Sequence, residues 1–549
     1  MNRMKRRSFL KQTALSAAAL ALPRNEVFGA RKKETDNESK VPKFTFANTL
    51  AQQEKQLKNN PLLERFRVSR KKLLKDPHHP LYHFTSPENR LNDPNGLCFW
   101  QGRWHMFYQG YPPEDPRQHW GHTISDDLIH WRDLPYAIYP NPERACFSGS
   151  AFVEKDRVIA MYHGTTVGSM VAVSSDPLLL NWKKVTGKAV IPHAGQGDPP
   201  LPYNIFDPCI WKKDGMYYAL TAGTLPNGPG GKRVRAEFLH RSKNLATWEY
   251  LHPFLEDDRY GMIGDDGACP YFWPIGDKHI LLHFSHMSGG KYLLGDYDKQ
   301  RDKFVVTAGA DFNFGAFGPC GVHAPSAFPD GEGGVIVIFN MNEGKPTKGW
   351  DRLMSLPRRL TLAPKGAFNP LYIEPAGDIE SLRADHKYVE AMKLTANRDV
   401  VLDNIRGNAM EVVAQIAPQR AQTLELNVLR SPGGEEVTRI QCFRDRGFRQ
   451  RGHPLPCVVS IDASRSSLAA DVRCRPPETA QVALGPNEPL KLRVFVDRSV
   501  VEVFVNGRQC VAMRVYPSRA DSVGVSLRSQ GQNAALKSLD AWQMKNIYE

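Results

Sequence analysis

The amino-acid sequence predicts an all-β protein, a five-bladed β-propeller followed by a C-terminal β-sandwich. A unit of two apolar runs around a polar turn recurs five times, at intervals of 55 to 62 residues. Repeats of this length, with several strands in each, are typical of propeller blades. Beyond residue 388 the repeat stops. Short alternating strands, with a hairpin signal at Asn506-Gly507, predict a sandwich there.

The five repeat units open at corresponding positions. These openings are Asp93-Pro94, Ser148-Gly149-Ser150, Asp207-Pro208, Cys269-Pro270 and Ala324-Pro325. Each opening precedes an apolar run, a Gly or Asp turn and a second apolar run, which indicates a β-hairpin. Because the inner strands of a propeller converge on one channel, we expect Asp93 and Asp207 to face the same site.

The N-terminal 30 residues are typical of an export signal. Arg6-Arg7 is followed by Phe9-Leu10-Lys11 and then by an apolar stretch rich in Ala and Leu. This pattern predicts a twin-arginine signal over residues 1–30 and a periplasmic or extracellular location. We expect a leader or linker over 31–77, flexible to about residue 60 and then forming a short helix. The propeller is predicted at 78–366, a linker at 367–388 and the sandwich at 389–549.

The charge and apolar patterns of the sequence point to neither a nucleic-acid partner nor a membrane span. The formal net charge is +14, of which the segment 1–30 contributes +5, so the remaining chain carries +9. No stripe of Lys and Arg interleaved with aromatics is present, so no nucleic-acid partner is expected. No apolar run in the mature chain is long enough to span a bilayer. The oligomeric state stays open.

The nine cysteines show no metal-ligand spacing and no Cys-x-x-Cys motif. Neither a metal nor a cofactor is expected. Cys98, Cys209 and Cys269 lie where strands open, which favours buried free thiols. Pairing among Cys442, Cys457 and Cys474 stays open.

Several motifs occur in an order that resembles glycoside hydrolase family 32, the family of invertases, levanases and inulinases. The resemblance covers the chain from about residue 80 to its end. The motifs are Asn92-Asp93-Pro94-Asn95-Gly96, Trp120-Gly121-His122, Phe147-Ser148-Gly149-Ser150, Asp207-Pro208, Cys269-Pro270, Met354-Ser355-Leu356-Pro357-Arg358 and the stretch 494–504 around Asp497-Arg498-Ser499.

The resemblance implies a retaining glycosidase that cleaves β-fructofuranosides with two carboxyl groups. It implies that Asp93 is the nucleophile and that Asp207 stabilises the transition state. It also implies substrate contacts by Asn92, Gln109, Trp120, Phe147 and Ser148. Trp120 could equally be a core aromatic.

Two positions depart from the family pattern. Phe206 stands where the family has Arg before Asp207-Pro208, so the cation that contacts substrate in the family is either missing here or supplied by Arg233 or Arg235. Ala268 stands where the family has its acidic Glu. We therefore expect Asp265 to be the proton donor, with Asp266 as the alternative.

The preferred function is an exported hydrolase that releases fructose from sucrose, levan or inulin. Two alternatives stay open. One is a fructan-binding protein with a degenerate acid site, and the other is a fructosyltransferase with the same nucleophile. The acidic loop before Cys269 discriminates between hydrolysis and binding alone.

Overall fold

The computed structural model describes residues 38–193, 204–225, 231–232, 234–262, 264–314, 321–444, 454–473 and 475–548. The predicted export signal at 1–30, Arg233 and Cys474 lie outside the described residues. Within these ranges the protein is built mostly of β-strands. None of its described helices has the length and apolar character needed to cross a membrane.

Two helices precede the first strand, α1 (Leu50–Lys58) and α2 (Pro61–Leu73). The side-chain oxygen of Asn60 caps α2, and Pro61 occupies its first turn, a combination that favours helix initiation. Helix α1 lies within 38–60, the described part of the segment that was expected to be flexible. Phe46 and Leu57 pack against Ile124 of the first sheet, so a few apolar side chains anchor a largely polar segment.

Up to residue 375 the described strands form five consecutive sheets. The first comprises β1 (Leu91–Trp100), β2 (Arg103–Gly110), β3 (His119–Ser125) and β4 (Arg132–Ile138). The second comprises β5 (Cys146–Val153), β6 (Val158–Gly164), β7 (Gly168–Ser174), β8 (Lys183–Lys184) and β9 (Ile191–Pro192). The third comprises β10 (Asn204–Lys213), β11 (Met216–Leu225), β12 (Val234–Ser242) and β13 (Glu249–Pro253).

The fourth sheet comprises β14 (Leu255–Glu256), β15 (Ala268–Ile275), β16 (Lys278–Ser285), β17 (Gly289–Asp298) and β18 (Lys303–Asp311). The fifth comprises β19 (Val322–Pro329), β20 (Val335–Met341), β21 (Leu353–Met354), β22 (Arg358–Leu362) and β23 (Leu371–Pro375). Neighbouring strands are antiparallel, except that β14 pairs in parallel with β18.

The strands that open the repeat units contact one another in a closed cycle. Strand β1 contacts β5 and β19, β10 contacts β5 and β15, and β15 contacts β19. Each of these five strands also has a register irregularity near its start, where it pairs with the next strand. Such bulges redirect side chains at strand ends and are common beside active sites.

After a 3-10 turn at Ile379–Leu382, thirteen strands form two further sheets in the described part of the chain. One contains β24 (Arg383–Val389), β25 (Met392–Leu394), β27 (Ala409–Ala417), β32 (Leu490–Asp497), β33 (Val500–Val505), β34 (Gln509–Arg514) and β36 (Ala534–Met544). The other contains β26 (Asp399–Arg406), β28 (Thr423–Arg430), β29 (Thr438–Phe443), β30 (Leu455–Asp462), β31 (Glu478–Leu484) and β35 (Gly524–Gln530).

An apolar core lies between these last two sheets. It draws alternate side chains from both, including Val412 and Val494 from one and Leu426 and Val459 from the other. The predicted hairpin connects β33 to β34, where Asn506 and Gly507 have φ angles of 50° and 63°. Asn and Gly suit this turn because they tolerate the left-handed region.

A buried ionic cluster joins one of the two C-terminal sheets to the lead-in to β1 and to the fifth sheet. Asp497 accepts hydrogen bonds from the backbone N–H of residues 81, 82 and 83 at 2.7 to 3.0 Å. Glu502 accepts from Arg358 at 2.8 Å, and the His83 ring lies 2.9 Å from Asp497 and 3.2 Å from Glu502. These partners satisfy charges that would otherwise be costly to bury.

Tyr548 lies beneath the lead-in to β1. Its hydroxyl donates to the carbonyl of His83 at 2.8 Å and accepts from the N–H of Thr85 at 2.9 Å. The Arg70 guanidinium of α2 stacks 4.3 Å above the ring. Residues from both ends of the described chain therefore meet beside the first sheet.

Candidate active site

Asp93 and Asp207 share one pocket near the start of strands β1 and β10. The Cys269 sulfur lies 3.8 Å from Oδ2 of Asp93 and 3.5 Å from Oδ2 of Asp207. Both aspartates are mostly buried, with 7% and 8% of their surface exposed. The repeat thus brings two carboxyls together, as convergent strands require.

The backbone around these residues is strained in a way that directs the side chains. Asp207 has φ +34° and Cys269 has φ +52°, in the region that non-glycine residues rarely adopt. The N–H of Cys269 donates to Oδ2 of Asp207 at 3.1 Å. Strain of this kind persists only where the surroundings enforce it, and it clusters at functional sites.

Polar side chains hold Asp93 in place. Gln109 and Ser148 both donate to its Oδ2, at 3.0 and 2.5 Å. The other oxygen, Oδ1, lies 3.4 Å from Nδ1 of His323 and accepts no conventional hydrogen bond from the described residues. Asn92 in turn donates to Oε1 of Gln109 at 3.1 Å. One carboxylate oxygen is therefore anchored by hydrogen bonds, and the other is buried beside His323 with its hydrogen-bonding capacity unused.

The two carboxyls have opposite protonation preferences. Burial would raise the pKa of Asp93, but the neighbouring His323 and the Ser148 hydroxyl lower it below its ordinary value. Burial, and then the negative charge of Asp93, raise the pKa of Asp207 to about 7. One group is thus an anion while the other keeps its proton in mildly acidic water. Such divergence is typical of paired catalytic carboxyls.

Asn92 also contacts a cation. Its Oδ1 accepts from Nδ2 of Asn340 at 3.0 Å and from the Arg352 guanidinium. Glu343 holds Nε of Arg352 at 2.9 Å. Arg352 is thus a positive group linked to the Asp93 network through Asn92.

Arg235, one of the two predicted cation sources, is fully engaged elsewhere. Its guanidinium contacts Glu237 at 3.0 Å, the His283 ring at 3.2 Å and the Asp258 carboxylate. It is buried in this cluster, whereas Arg352 contacts Asn92 beside Asp93. Arg233 lies outside the described residues.

Trp120 lies in the core rather than on the pocket surface. Its side chain is completely buried, and its indole N–H donates to the carbonyl of Phe147 at 2.9 Å. The ring packs against Phe107 and Tyr162. Of the two interpretations left open by the sequence, the core aromatic fits this position, with Trp120 fixing the half-buried Phe147.

The wall beside Cys269 is apolar. Ala268, Phe284 and Ala324 are buried together, with Phe206 packed against them. The two departures from the family pattern, Phe206 and Ala268, therefore belong to the same patch. This patch withdraws Asp207 from water, which is why burial is the main cause of its raised pKa.

Asp265, the predicted proton donor, is committed to the loop that carries it. Its Oδ1 accepts from the hydroxyls of Ser285 and Ser288 at 2.7 and 2.9 Å, and its Oδ2 accepts from the N–H of Met262 at 2.7 Å. Lys291 lies 3.8 Å away. With both oxygens occupied and the side chain buried, Asp265 acts here as a structural residue.

Asp266, the alternative donor, pairs with a histidine. Its Oδ2 lies 2.6 Å from Nδ1 of His286, and its Oδ1 accepts from the backbone N–H of the same residue at 3.3 Å. The ring of His286 lies 5.6 Å from that of His323 and is more than half exposed. Asp266 thus reaches the pocket through His286.

Within the described ranges, no group of three or more His, Cys, Asp or Glu side chains is placed to hold a metal ion. The seven described cysteines are buried, and no disulfide joins any two of them. These include Cys442 and Cys457.

Sequence reasoning missed His286, His323 and Arg352. A signal for His323 exists, because it precedes Ala324-Pro325 just as Asn92 precedes Asp93-Pro94. His286 directly follows β16, the second strand of unit four. Arg352 lies in a loop between strands and carries no repeat signal.

Comparison with known proteins identifies the family of this chain. Residues 83–375 match the N-terminal domain of glycosyl hydrolases family 32, and residues 378–543 match its C-terminal domain. The chain is 27% identical to the levanase of Bacillus subtilis over 519 residues, covering 86% of this chain and 71% of the levanase. It is also 27% identical to the fructan 6-exohydrolase of Beta vulgaris, covering 86% and 87% of the two chains.

The fold resembles that of fructan 1-exohydrolase IIa from Cichorium intybus. The TM-score is 0.74 at 23% identity, covering 86% of this chain and 98% of the other. The mostly β architecture is thus the β-propeller and β-sandwich of this group of proteins. The chain belongs to glycosyl hydrolase family 32, and it is a glycosidase.

Proposed function

We propose that the protein hydrolyses β-fructofuranosides and releases fructose from sucrose or from a levan or inulin chain. The observation that carries this proposal is the buried Asp93 and Asp207 pair, whose pKa values are driven apart. Relatives described as levanase and fructan 6-exohydrolase support the substrate class.

Asp93 is the proposed nucleophile of a retaining reaction. Ser148 and Gln109 hold its Oδ2, which leaves Oδ1 to attack the anomeric carbon. Its lowered pKa keeps the group ionised over the working pH range. Attack forms a covalent fructosyl ester, which water then hydrolyses with overall retention.

Asp207 is proposed to bind sugar hydroxyls next to the reacting carbon. With a pKa of about 7, it carries a proton in mildly acidic solution and can donate a hydrogen bond to a hydroxyl oxygen. As positive charge develops on the ring, a shift of that proton toward the sugar leaves a partial negative charge nearby. This gives Asp207 a stabilising role in the transition state.

Asn92, Gln109 and Ser148 form the polar side of the proposed fructose site, with Phe147 at its edge. Arg352 holds Asn92 in place through its side-chain oxygen and gives the polar side of the site a positive charge. Trp120 acts indirectly, by holding the backbone of Phe147.

We infer that the five N-terminal sheets are the blades of a five-bladed propeller. The cyclic contacts among β1, β5, β10, β15 and β19 support this arrangement. We also propose that residues 1–30 direct export by the twin-arginine route. A reporter fusion with Arg6-Arg7→Lys-Lys tests this proposal, because loss of export is the expected result.

The test of activity incubates the protein with sucrose, inulin and levan and measures free fructose, glucose and longer oligosaccharides. We expect fructose release, with a β-configured first product in an NMR time course. Asp93→Asn is the matched inactive control. Transfer products in place of free fructose would indicate a fructosyltransferase, and saturable fructan binding without turnover would indicate a binding protein.

The binding alternative has one specific observation in its favour. Ala268 carries no acid, and the carboxylate of Asp265 is fully engaged. The site therefore needs another proton donor in order to hydrolyse unactivated fructosides.

A further inference from the structure

A proton donor is required wherever the leaving group is a sugar alkoxide. Position 268 holds an alanine, and Asp265 is bonded within its own loop. Asp207 is close to Asp93, but its Oδ2 faces the N–H and thiol of Cys269, on the nucleophile's side of the pocket. The loop after β16, at the edge of the pocket, offers a different candidate for the proton donor.

That group is His286. Both oxygens of Asp266 face it, Oδ2 at 2.6 Å from its ring Nδ1 and Oδ1 at 3.3 Å from its backbone N–H. A carboxylate only accepts hydrogen bonds when ionised, so Nδ1 keeps its proton and the transferable proton lies on Nε2. The contact with Asp266 also fixes the orientation of the ring.

The ring lies at the edge of the pocket that contains the two aspartates. It is 5.1 Å from the Phe284 ring and 5.6 Å from the His323 ring, centre to centre. His323 in turn lies 3.4 Å from Oδ1 of Asp93. More than half of the side chain is open, so a leaving sugar can approach it.

The electrostatic surroundings favour the charged ring. Partial burial lowers the pKa of His286, but the hydrogen bond and charge of Asp266 raise it, as do the charge of Asp93 and, once it ionises, that of Asp207. The net direction is upward. His286 therefore carries its proton further into the neutral range than an unperturbed histidine.

We propose that His286 is the general acid and base of this site and that Asp266 positions it, replacing the carboxylic acid missing at Ala268. This inference rests on the proposed hydrolysis of β-fructofuranosides. His286 is a catalytic residue in this scheme, and Asp266 is a positioning residue.

The proton balance is complete without any further reactant. As Oδ1 of Asp93 bonds to the anomeric carbon, the bond from that carbon to the leaving oxygen breaks, and the Nε2 proton moves to that oxygen. Neutral His286 then takes a proton from water while the water oxygen bonds to the same carbon. The ester to Asp93 breaks, and fructose, the ionised nucleophile and the charged ring result.

A histidine paired with an aspartate is not by itself a site. His130 lies 2.6 Å from Asp127, and its side chain is about half exposed. What distinguishes His286 is its position beside His323, whose ring lies 3.4 Å from Oδ1 of Asp93. His130→Gln is therefore a matched control for His286→Gln.

The experiment compares sucrose with 4-nitrophenyl β-fructofuranoside, whose leaving group needs little protonation. His286→Gln should lower kcat/KM on sucrose by about 100-fold or more, the usual contribution of a general acid. On the aryl fructoside, fructosyl transfer to Asp93 should fall less than about 10-fold, followed as the nitrophenol burst. His130→Gln should change neither value.

Three further variants separate proton transfer from structural effects. Asp266→Asn removes the charge that holds the proton on His286, so the alkaline limb of the kcat/KM profile on sucrose should move to lower pH. His323→Gln should lower kcat/KM on both substrates by a similar factor, because that residue contacts the nucleophile. Imidazole added to His286→Ala should restore part of the sucrose activity.

Equal losses on both substrates for His286→Gln, or an unchanged alkaline limb in Asp266→Asn, would overturn the assignment. Retention of sucrose activity in His286→Gln would also do so and would transfer the role to Asp207. Failure of the wild-type protein on the aryl fructoside would instead reject the proposed function itself, because that substrate bypasses the acid.

Discussion

The Asp207 carboxyl allows a test in which loss of activity is accompanied by a gain in stability. Burial and the charge of Asp93 raise its pKa to about 7, against an ordinary value of 3.8. The folded protein therefore binds this proton more tightly than the unfolded chain does. Its free energy of unfolding should fall as the pH rises from about 4 to 7, and the penalty persists at higher pH.

The size of the penalty follows from the two pKa values. A difference of one pKa unit corresponds to about 1.4 kcal/mol, so an ionised Asp207 costs the folded state about 4 kcal/mol above pH 7. Asp207→Asn removes the ionisation and retains an oxygen that can accept from the N–H of Cys269. At an unfolding entropy of about 2.1 cal/mol/K per residue, the Tm should rise by about 3–4 °C at pH 8.5.

Calorimetry at pH 4.5 and pH 8.5 measures this effect, with turnover on sucrose measured in parallel. We expect the variant to gain Tm over the wild type mainly at pH 8.5 and to lose turnover at both pH values. A Tm difference that is equal at the two pH values, or a variant that is less stable at pH 8.5, would refute the reasoning. Asp93→Asn is a second check, since removing its charge should reduce the pH dependence of stability.

Asp93→Asn should also lower turnover by several orders of magnitude while fructan binding survives, as measured by calorimetric titration. Asp265→Asn should lower the Tm and affect sucrose and the aryl fructoside equally, as kinetics on both substrates will show. Glu502→Gln should leave Arg358 buried without its counter-charge and cost about 3–5 kcal/mol in thermal unfolding. The pKa of His83 is raised to about 8 by Asp497 and Glu502 against the effect of burial. Its contribution to stability should therefore be complete below about pH 6.5 and lost as the pH rises through 8, a loss that His83→Gln should abolish.

The matched control for Glu502→Gln is Glu54→Gln. Glu54 pairs with Arg132 at 2.7 and 2.8 Å on the surface. An exposed pair contributes no more than about 1 kcal/mol. Equal destabilisation by the two substitutions would contradict the importance assigned to the buried cluster.

Much of the architecture could be predicted from the repeat, because strand-turn-strand units leave periodic apolar runs. The same repeat placed Asp93 and Asp207 at equivalent strand openings, and the structure brings them into one pocket. Helix α1 was not predicted, since only a few apolar residues such as Leu57 anchor it to the first sheet.

The proton donor could not be predicted from local sequence. Ser285 and Ser288 bind Asp265 from about twenty residues away, and these distant hydrogen bonds decide that it turns inward. The same fold places Asp266 opposite His286. Such pairings depend on how a loop closes on its neighbouring hairpin, and no spacing rule encodes them.

The contacts of Tyr548 with His83 and Thr85 have a consequence for the order of folding. They join residues 465 and 463 positions apart in the chain. Asp497 holds the backbone at residues 81–83 across a separation of more than 410 positions. Contacts of such long range form late and slow a folding reaction, so the lead-in to β1 cannot settle until residues near 548 have been synthesised. On the ribosome, the lead-in to β1 should therefore stay sensitive to proteases until residues near 548 have emerged.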